Sequence, residues 1–338
     1  MVKEVYHKAV FFFCILLFPV TFLSPLAAEP AEPIVIRFSH VVAEDTPKGI
    51  GAKMFKEIVE ERLAGKVLVK IYPKSEKFTD SQALLSLLFG DIEMTAPSFT
   101  KLCKFNKSLQ VFDFPFLFES IEQVHRFQNS PSGQRLLSSI ESCGLKGLAY
   151  WDNGMRIISS NKAIVSPGDL EGLTLRIEPS QVFYHQYAKL GAVPITMPFK
   201  RIPDALKIGI VDGHENTWSN IRASNLHLLR PHFTEIGHSY LGYMVVTNAV
   251  FWESLPTEVR TELSSILADV TVEVNRLAAE KNEKDKQIVI NNPKAKLVSL
   301  TDSEKKVWKD AMLSIWDDFE SEIGSDILQT AQNGQQVD

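Results

Sequence analysis

The chain has 338 residues, of which 45% are hydrophobic and 23% charged, with a formal net charge of −5. A nucleic-acid partner would need a basic face, which this balance argues against, and an anionic ligand must be drawn in by local charges rather than by the overall field. Cysteine and histidine are too scattered along the chain to suggest a metal site, and no cofactor is expected.

Lys3 and Lys8 precede an uncharged run from Ala9 to Ala28 rich in Phe, Leu, Ile and Val, which ends in Ser24-Pro25-Leu26-Ala27-Ala28. A basic start, an apolar middle and a small-residue exit predict a cleaved secretory signal peptide over residues 1–28 and a periplasmic mature chain. Pro19 and Pro25 interrupt the run, which argues against a permanent anchor. Cys103 and Cys143 lie beyond it, and sequence alone leaves open whether they pair. The remaining length suits two domains better than one core.

Ile34 to Ser39 reads as a strand, Lys48 to Leu63 as an amphipathic helix, Val67 to Tyr72 as a strand, Asp80 to Phe89 as a helix and Ile92 to Ala96 as a strand. Strands alternating with helices at this spacing predict βαβ units and a mainly parallel sheet. Strands at Lys146–Tyr150, Arg156–Ser160, Leu173–Ile177 and Val193–Thr196 follow, with helices at Ser180–Leu190 and Pro203–Ile208, then a late strand at Tyr243–Thr247. From Thr257 to Ile290 the pattern is helical between Pro256 and Pro293, without a sustained heptad, and suits a strut lying across two lobes. Ser303 to Gln329 predicts one closing helix.

Catalytic signatures are missing: there is no G-x-S-x-G elbow, complete Walker loop or G-x-G-x-x-G. His214-Glu215 invites a zinc-protease reading, but Trp218 stands where the second histidine should be. What stands out instead is polar residues at strand ends, where ligands sit in open α/β sheets. Arg176 interrupts an apolar strand, and a guanidinium presents a fork that matches a carboxylate. Spacing alone leaves Arg176 open between a structural ion pair and a ligand contact. Arg156, Asn216 and Trp218, Ser98 after Ala96-Pro97, and His40 after Ser39 have similar placements.

Several stretches in order then carry a resemblance. They are Phe38-Ser39-His40-Val41-Val42-Ala43, Asp45-Thr46-Pro47-Lys48-Gly49, Val111-Phe112-Asp113-Phe114-Pro115, Tyr150-Trp151-Asp152-Asn153-Gly154, Asp169-Leu170-Glu171-Gly172-Leu173, Leu190-Gly191-Ala192-Val193-Pro194 and Val211-Asp212-Gly213-His214-Glu215-Asn216. Over nearly the whole mature length the chain resembles the DctP-type extracytoplasmic solute-binding proteins of TRAP transporters. That resemblance implies an α/β, two-lobed periplasmic-binding-protein-like fold, with a ligand cleft between the lobes and a long helix spanning both. The expected lobes are 29–152 plus 241–280 and 153–240 plus 281–338. The implied function is capture of a small organic carboxylate, a C4-dicarboxylate favoured, by a monomer that is not an enzyme and delivers its ligand to membrane permease subunits. A receptor feeding a sensor kinase, or an enzyme acting on organic acids, is the alternative. The family's carboxylate-pairing arginine falls on Arg176; Arg156 and Asn216 match further pocket positions, Phe199 an aromatic wall, and Lys48 a contact to a distal carboxylate, with Ser98, His40 and Trp218 completing the expected set. Arg201-Ile202-Pro203, Thr217 and Lys74-Ser75-Glu76-Lys77 depart from the family pattern and bear on which acid is bound.

Overall fold

The computed structural model describes residues 32–333; the expected signal peptide lies outside them. Eleven strands form two sheets among the described residues. They are β1 (Ile34–Ser39), β2 (Val67–Tyr72), β3 (Met94–Thr95), β4 (Leu145–Met155), β5 (Ile157–Ser160), β6 (Thr174–Ile177), β7 (Val193–Thr196), β8 (Gly213–Asn216), β9 (His232–Thr234), β10 (Tyr240–Asn248) and β11 (Lys296–Val298). The first sheet has the order β2-β1-β3-β10-β4, the second β11-β9-β5-β8-β6-β7.

Both sheets are mixed, not mainly parallel as the strand–helix alternation suggested. β1 pairs with β2 and β3 in parallel, whereas β10 runs antiparallel to β3 and β4. In the second sheet β5 is antiparallel to β8 and β9. The antiparallel members are strands that cross between sheets. β4 passes through Arg156 directly into β5, and residues 235–239 carry the chain back from β9 to β10. The two crossings touch where the Arg156 amide donates to the Ser239 carbonyl at 2.9 Å.

Local chemistry explains the helices that flank the first sheet. The Pro47–Arg62 helix opens with Pro in its first turn and the Thr46 side chain accepting from the Gly49 amide. The Asp80–Phe89 helix begins with a Thr79/Gln82 capping box and ends on Gly90 at φ 79°, a left-handed turn suited to glycine. Each sheet is covered on both faces, giving two three-layer units.

The Thr257–Ile290 helix has the predicted bounds and, at 1.5 Å per residue, runs about 51 Å. Val259, Leu263, Ile266, Leu267, Val270 and Val274 recur at helical spacing and enter the core of the first sheet, while Val289 enters that of the second. Gly51 lets this helix approach: a Cβ there would stand 2.4 Å from Val274 Cγ2. The single closing helix expected after Ser303 is instead three, Asp302–Leu313, Ile315–Ile323 and Ser325–Asn333. Gly324, at φ 101°, cannot propagate a right-handed helix. The breaks let the segment wrap, placing Trp308 and Met312 in the second-sheet core and Phe319, Ile323 and Leu328 against the first.

Candidate functional site

The carboxyl ends of β1, β3, β6 and β8 bring the polar residues together in one buried cluster. Arg176 lies within β6 between Ile195 of β7 and His214 of β8, and is 1% exposed. Its Nε and Nη2 donate to the Met197 carbonyl at 3.2 and 3.1 Å. Among the described residues it forms no ion pair; burial pushes its pKa down, against the more distant pull of Glu178 and Glu215. A guanidinium has five N–H donors, so three remain for another group.

Arg156 is equally buried but differently partnered. One Nη donates to the Glu215 carboxylate and the other to Glu178 Oε2 at 2.6 Å, leaving only Nε unpaired. Glu178 Oε1 also accepts from Ser98 Oγ at 3.0 Å and Lys101 Nζ at 2.6 Å. Burial works against the Glu178 carboxylate, but Lys101, Arg156 and Arg176 hold it well below the usual range. Burial raises Glu215 instead, with Arg156 opposing. Because Ser98 and Lys101 follow β3 whereas Glu178 follows β6, this one carboxylate ties the two sheets together.

Lys48 is fully buried, donates to the Ala96 carbonyl at 2.8 Å and sits 3.7 Å from the centre of the Tyr243 ring. Burial pushes its pKa down to about 8, although Asp80 and Glu178 favour its charge. The Tyr243 hydroxyl accepts from Asn153 Nδ2 at 2.7 Å and Asn220 Nδ2 at 3.2 Å, and Asn220 also donates to Asn216 Oδ1 at 2.9 Å. His40 lies buried with neither ring nitrogen partnered; burial and the nearby Lys48 push it down to about 3, so it is a neutral imidazole. Phe199 is half-buried and lines a cavity of about 170 Å³ together with Ser75, Asp80, Lys101 and Met197. Arg176 reaches that wall through the Met197 carbonyl.

Seven of the eight expected residues therefore gather around the ends of these strands. Trp218 points elsewhere: its indole donates to Glu235 Oε1 at 2.8 Å and its ring lies beside Phe233, on a groove that Arg156 lines from its other side together with Met155 and Lys305. Sequence reasoning missed Glu178, Lys101, Asp80, Glu215 and Tyr243 as members of the cluster. Glu178 carried a usable signal, since it lies two residues beyond Arg176 in an extended segment and so shares its side. Asp80 was hidden by its place as first residue of a capped helix. No group of His, Cys, Asp or Glu suited to a metal occurs among the described residues, and Cys103 and Cys143 are free thiols.

Residues 38–322 match the family model described as bacterial extracellular solute-binding protein, family 7, or DctP. The chain belongs to this family. The C4-dicarboxylate-binding periplasmic protein DctP of Shewanella loihica is 41% identical over 301 residues, 89% of this chain and 90% of that protein. A TRAP periplasmic solute-binding protein from Shewanella oneidensis, solved with bound succinate, superposes with a TM-score of 0.89 at 40% identity, over 90% of this chain and 100% of that one. A counterpart from Pseudomonas aeruginosa with bound L-malate gives 0.83 at 42% identity, over 85% of this chain and 100% of that one. The DctP family fold is two-lobed, and the two sheets with their shared long helix are its two lobes here. Among the described residues no helix is long and apolar enough to cross a membrane.

Proposed function

We propose that the chain is the periplasmic solute-binding protein of a TRAP transporter, capturing a small dicarboxylate, of four carbons by preference, and delivering it as a monomer to membrane permease subunits. The observation that carries this reading is Arg176: a 1%-exposed guanidinium with no carboxylate partner among the described residues. A buried charge needs a counter-charge, and an incoming carboxylate supplies one with two parallel hydrogen bonds. The adjoining cavity, about 170 Å³, lies below the range typical of drug-sized ligands and suits a small acid. The relatives solved with succinate and L-malate support the same class.

In this reading Arg176 anchors one carboxylate and Lys48 attracts the other. Arg156, braced by Glu178 and Glu215, orients the site; Asn216, Ser98 and His40 supply polar contacts, and Phe199 closes one wall. Trp218 acts at the back of the crossing instead. Residues 1–28 are the cleaved signal, and the proposed lobes keep the expected division except that the helices Ile315–Ile323 and Ser325–Asn333, expected in the second lobe, go with the first-sheet core on which they pack. Ligand binding biases an open–closed equilibrium about Arg156 and residues 235–239, closure bringing Ser98 and Lys101 onto Glu178. Binding without turnover is expected.

A thermal-shift screen over organic acids tests the reading. A ligand at 100 times its dissociation constant stabilises by about 2.7 kcal/mol, so succinate or malate should raise the melting temperature visibly. Mass spectrometry should recover the acid unchanged. Absence of a shift with every four-carbon dicarboxylate sinks the proposal.

A further inference from the structure

One wall of the 170 Å³ cavity carries two buried polar atoms that have no partner in the protein. Asp80 is 8% exposed, and its Oδ1 has no hydrogen-bond partner. Ser75, 7% exposed and held at φ 55°, also lines the cavity with its hydroxyl unpartnered. Both come from the first lobe, across the cavity from Met197 and Phe199 of the second. The cations that surround Asp80 are otherwise engaged: Lys101 donates to Glu178, Lys48 to the Ala96 carbonyl and Arg176 to the Met197 carbonyl. No ion pair to Asp80 occurs among the described residues, although it senses all three charges.

Arg176 and Lys48, whose hydrogen-bond partners are backbone carbonyls, keep N–H groups for the two carboxylates of a ligand, but a carboxylate acceptor beside them cannot serve an anion. It repels one. An acceptor and a hydroxyl left unpaired together match a group that both donates and accepts, which is an alcohol. Resting on the dicarboxylate reading above, we propose that Asp80 and Ser75 form a subsite for a hydroxyl on the ligand, making the protein selective for 2-hydroxy dicarboxylates over their unsubstituted parents. Asp80 Oδ1 accepts a hydrogen bond from the ligand hydroxyl and Ser75 Oγ donates one to its oxygen. A ligand without the hydroxyl leaves both groups buried and unpaired when the cleft closes. A site built to hydrogen-bond a hydroxyl discriminates strongly against the analogue lacking it for that reason.

Calorimetric titration of succinate and of each malate enantiomer into the unaltered protein, Asp80→Asn, Asp80→Ala and Ser75→Ala tests this. One malate enantiomer should bind the unaltered protein roughly ten- to a hundredfold more tightly than succinate, the range set by leaving a buried polar group unpaired. Asp80→Ala should bring that ratio to within about threefold while succinate still binds, and Ser75→Ala should reduce it in part. An unaltered protein with no hydroxyl preference overturns the inference. So does equal loss of both ligands by Asp80→Asn with an intact melting transition, because Asp80 would then be a general anchor. If no four-carbon dicarboxylate binds the unaltered protein at all, the proposed function fails as well; binding without preference removes only this subsite.

Discussion

Removing the Arg176 guanidinium should weaken ligand binding greatly and leave the unliganded fold almost untouched. The two halves follow from one geometry. Arg176 gives two donors to a single carbonyl oxygen and has no ion pair, and burial outweighs the distant carboxylates in setting its pKa. The empty protein therefore gains little from the charge, and exchange of such a group for an apolar side chain of similar volume is often neutral or stabilising. Arg176→Met should change the free energy of unfolding by less than about 1 kcal/mol, or raise it. In the proposed complex the same guanidinium contributes two charge-assisted hydrogen bonds at roughly 1.5–3 kcal/mol each. Their loss, about 3–6 kcal/mol, corresponds to a dissociation constant raised roughly 10²- to 10⁴-fold. Arg176→Lys keeps the charge but not the fork and should fall between. Titration calorimetry with succinate and malate reads the affinity, and urea unfolding without ligand reads the stability. A dissociation constant within threefold of the original refutes the anchor. A loss of several kcal/mol in the unliganded Arg176→Met protein refutes it too, since the residue would then be a structural ion-pair partner.

Glu178→Gln should destabilise the protein by roughly 3 kcal/mol in urea unfolding, because Arg156 and Lys101 lose a shared buried carboxylate. Since the folded state holds Glu178 below its ordinary value, its contribution is present above that value and disappears as pH falls through the lowered one; the variant should show a flatter acid limb. His125 Nε2 meets Asp152 Oδ2 at 2.5 Å, and that bond raises the imidazole above 6.5. Its contribution is complete below 6.5 and fades as pH rises through the raised value, so His125→Gln should remove part of the fall in melting temperature as pH rises above 6.5. Of the two described thiols, Cys143 is exposed, while burial pushes Cys103 far up. Maleimide labelling followed by peptide mass analysis should find Cys143 modified in the native protein and Cys103 only after unfolding; equal rates would contradict the packing around Cys103.

How far the fold could be read in advance depended on whether a feature was local. β1, β2 and β7 and the Thr257–Ile290 helix have the predicted bounds, because apolar spacing and prolines report on a segment by itself. Strand direction does not reside in a segment. β10 is as apolar as a parallel strand, and only its return from the other lobe makes it antiparallel. Gly324 was a visible stop signal inside the closing helix, and helical periodicity on both sides concealed it. The site divides along the same line. Arg176 and Arg156 both announced themselves as charges among strand residues, and both are buried. Their sequences cannot separate them, because the difference lies in partners distant along the chain: Glu178 and Glu215 for Arg156, a lone carbonyl for Arg176. A fold that needed both cations for its own stability would have neutralised both. It neutralises one with two carboxylates and brings Lys101 onto the same network; Arg176 is left with a carbonyl alone, and in the proposed reading its counter-charge arrives with the ligand.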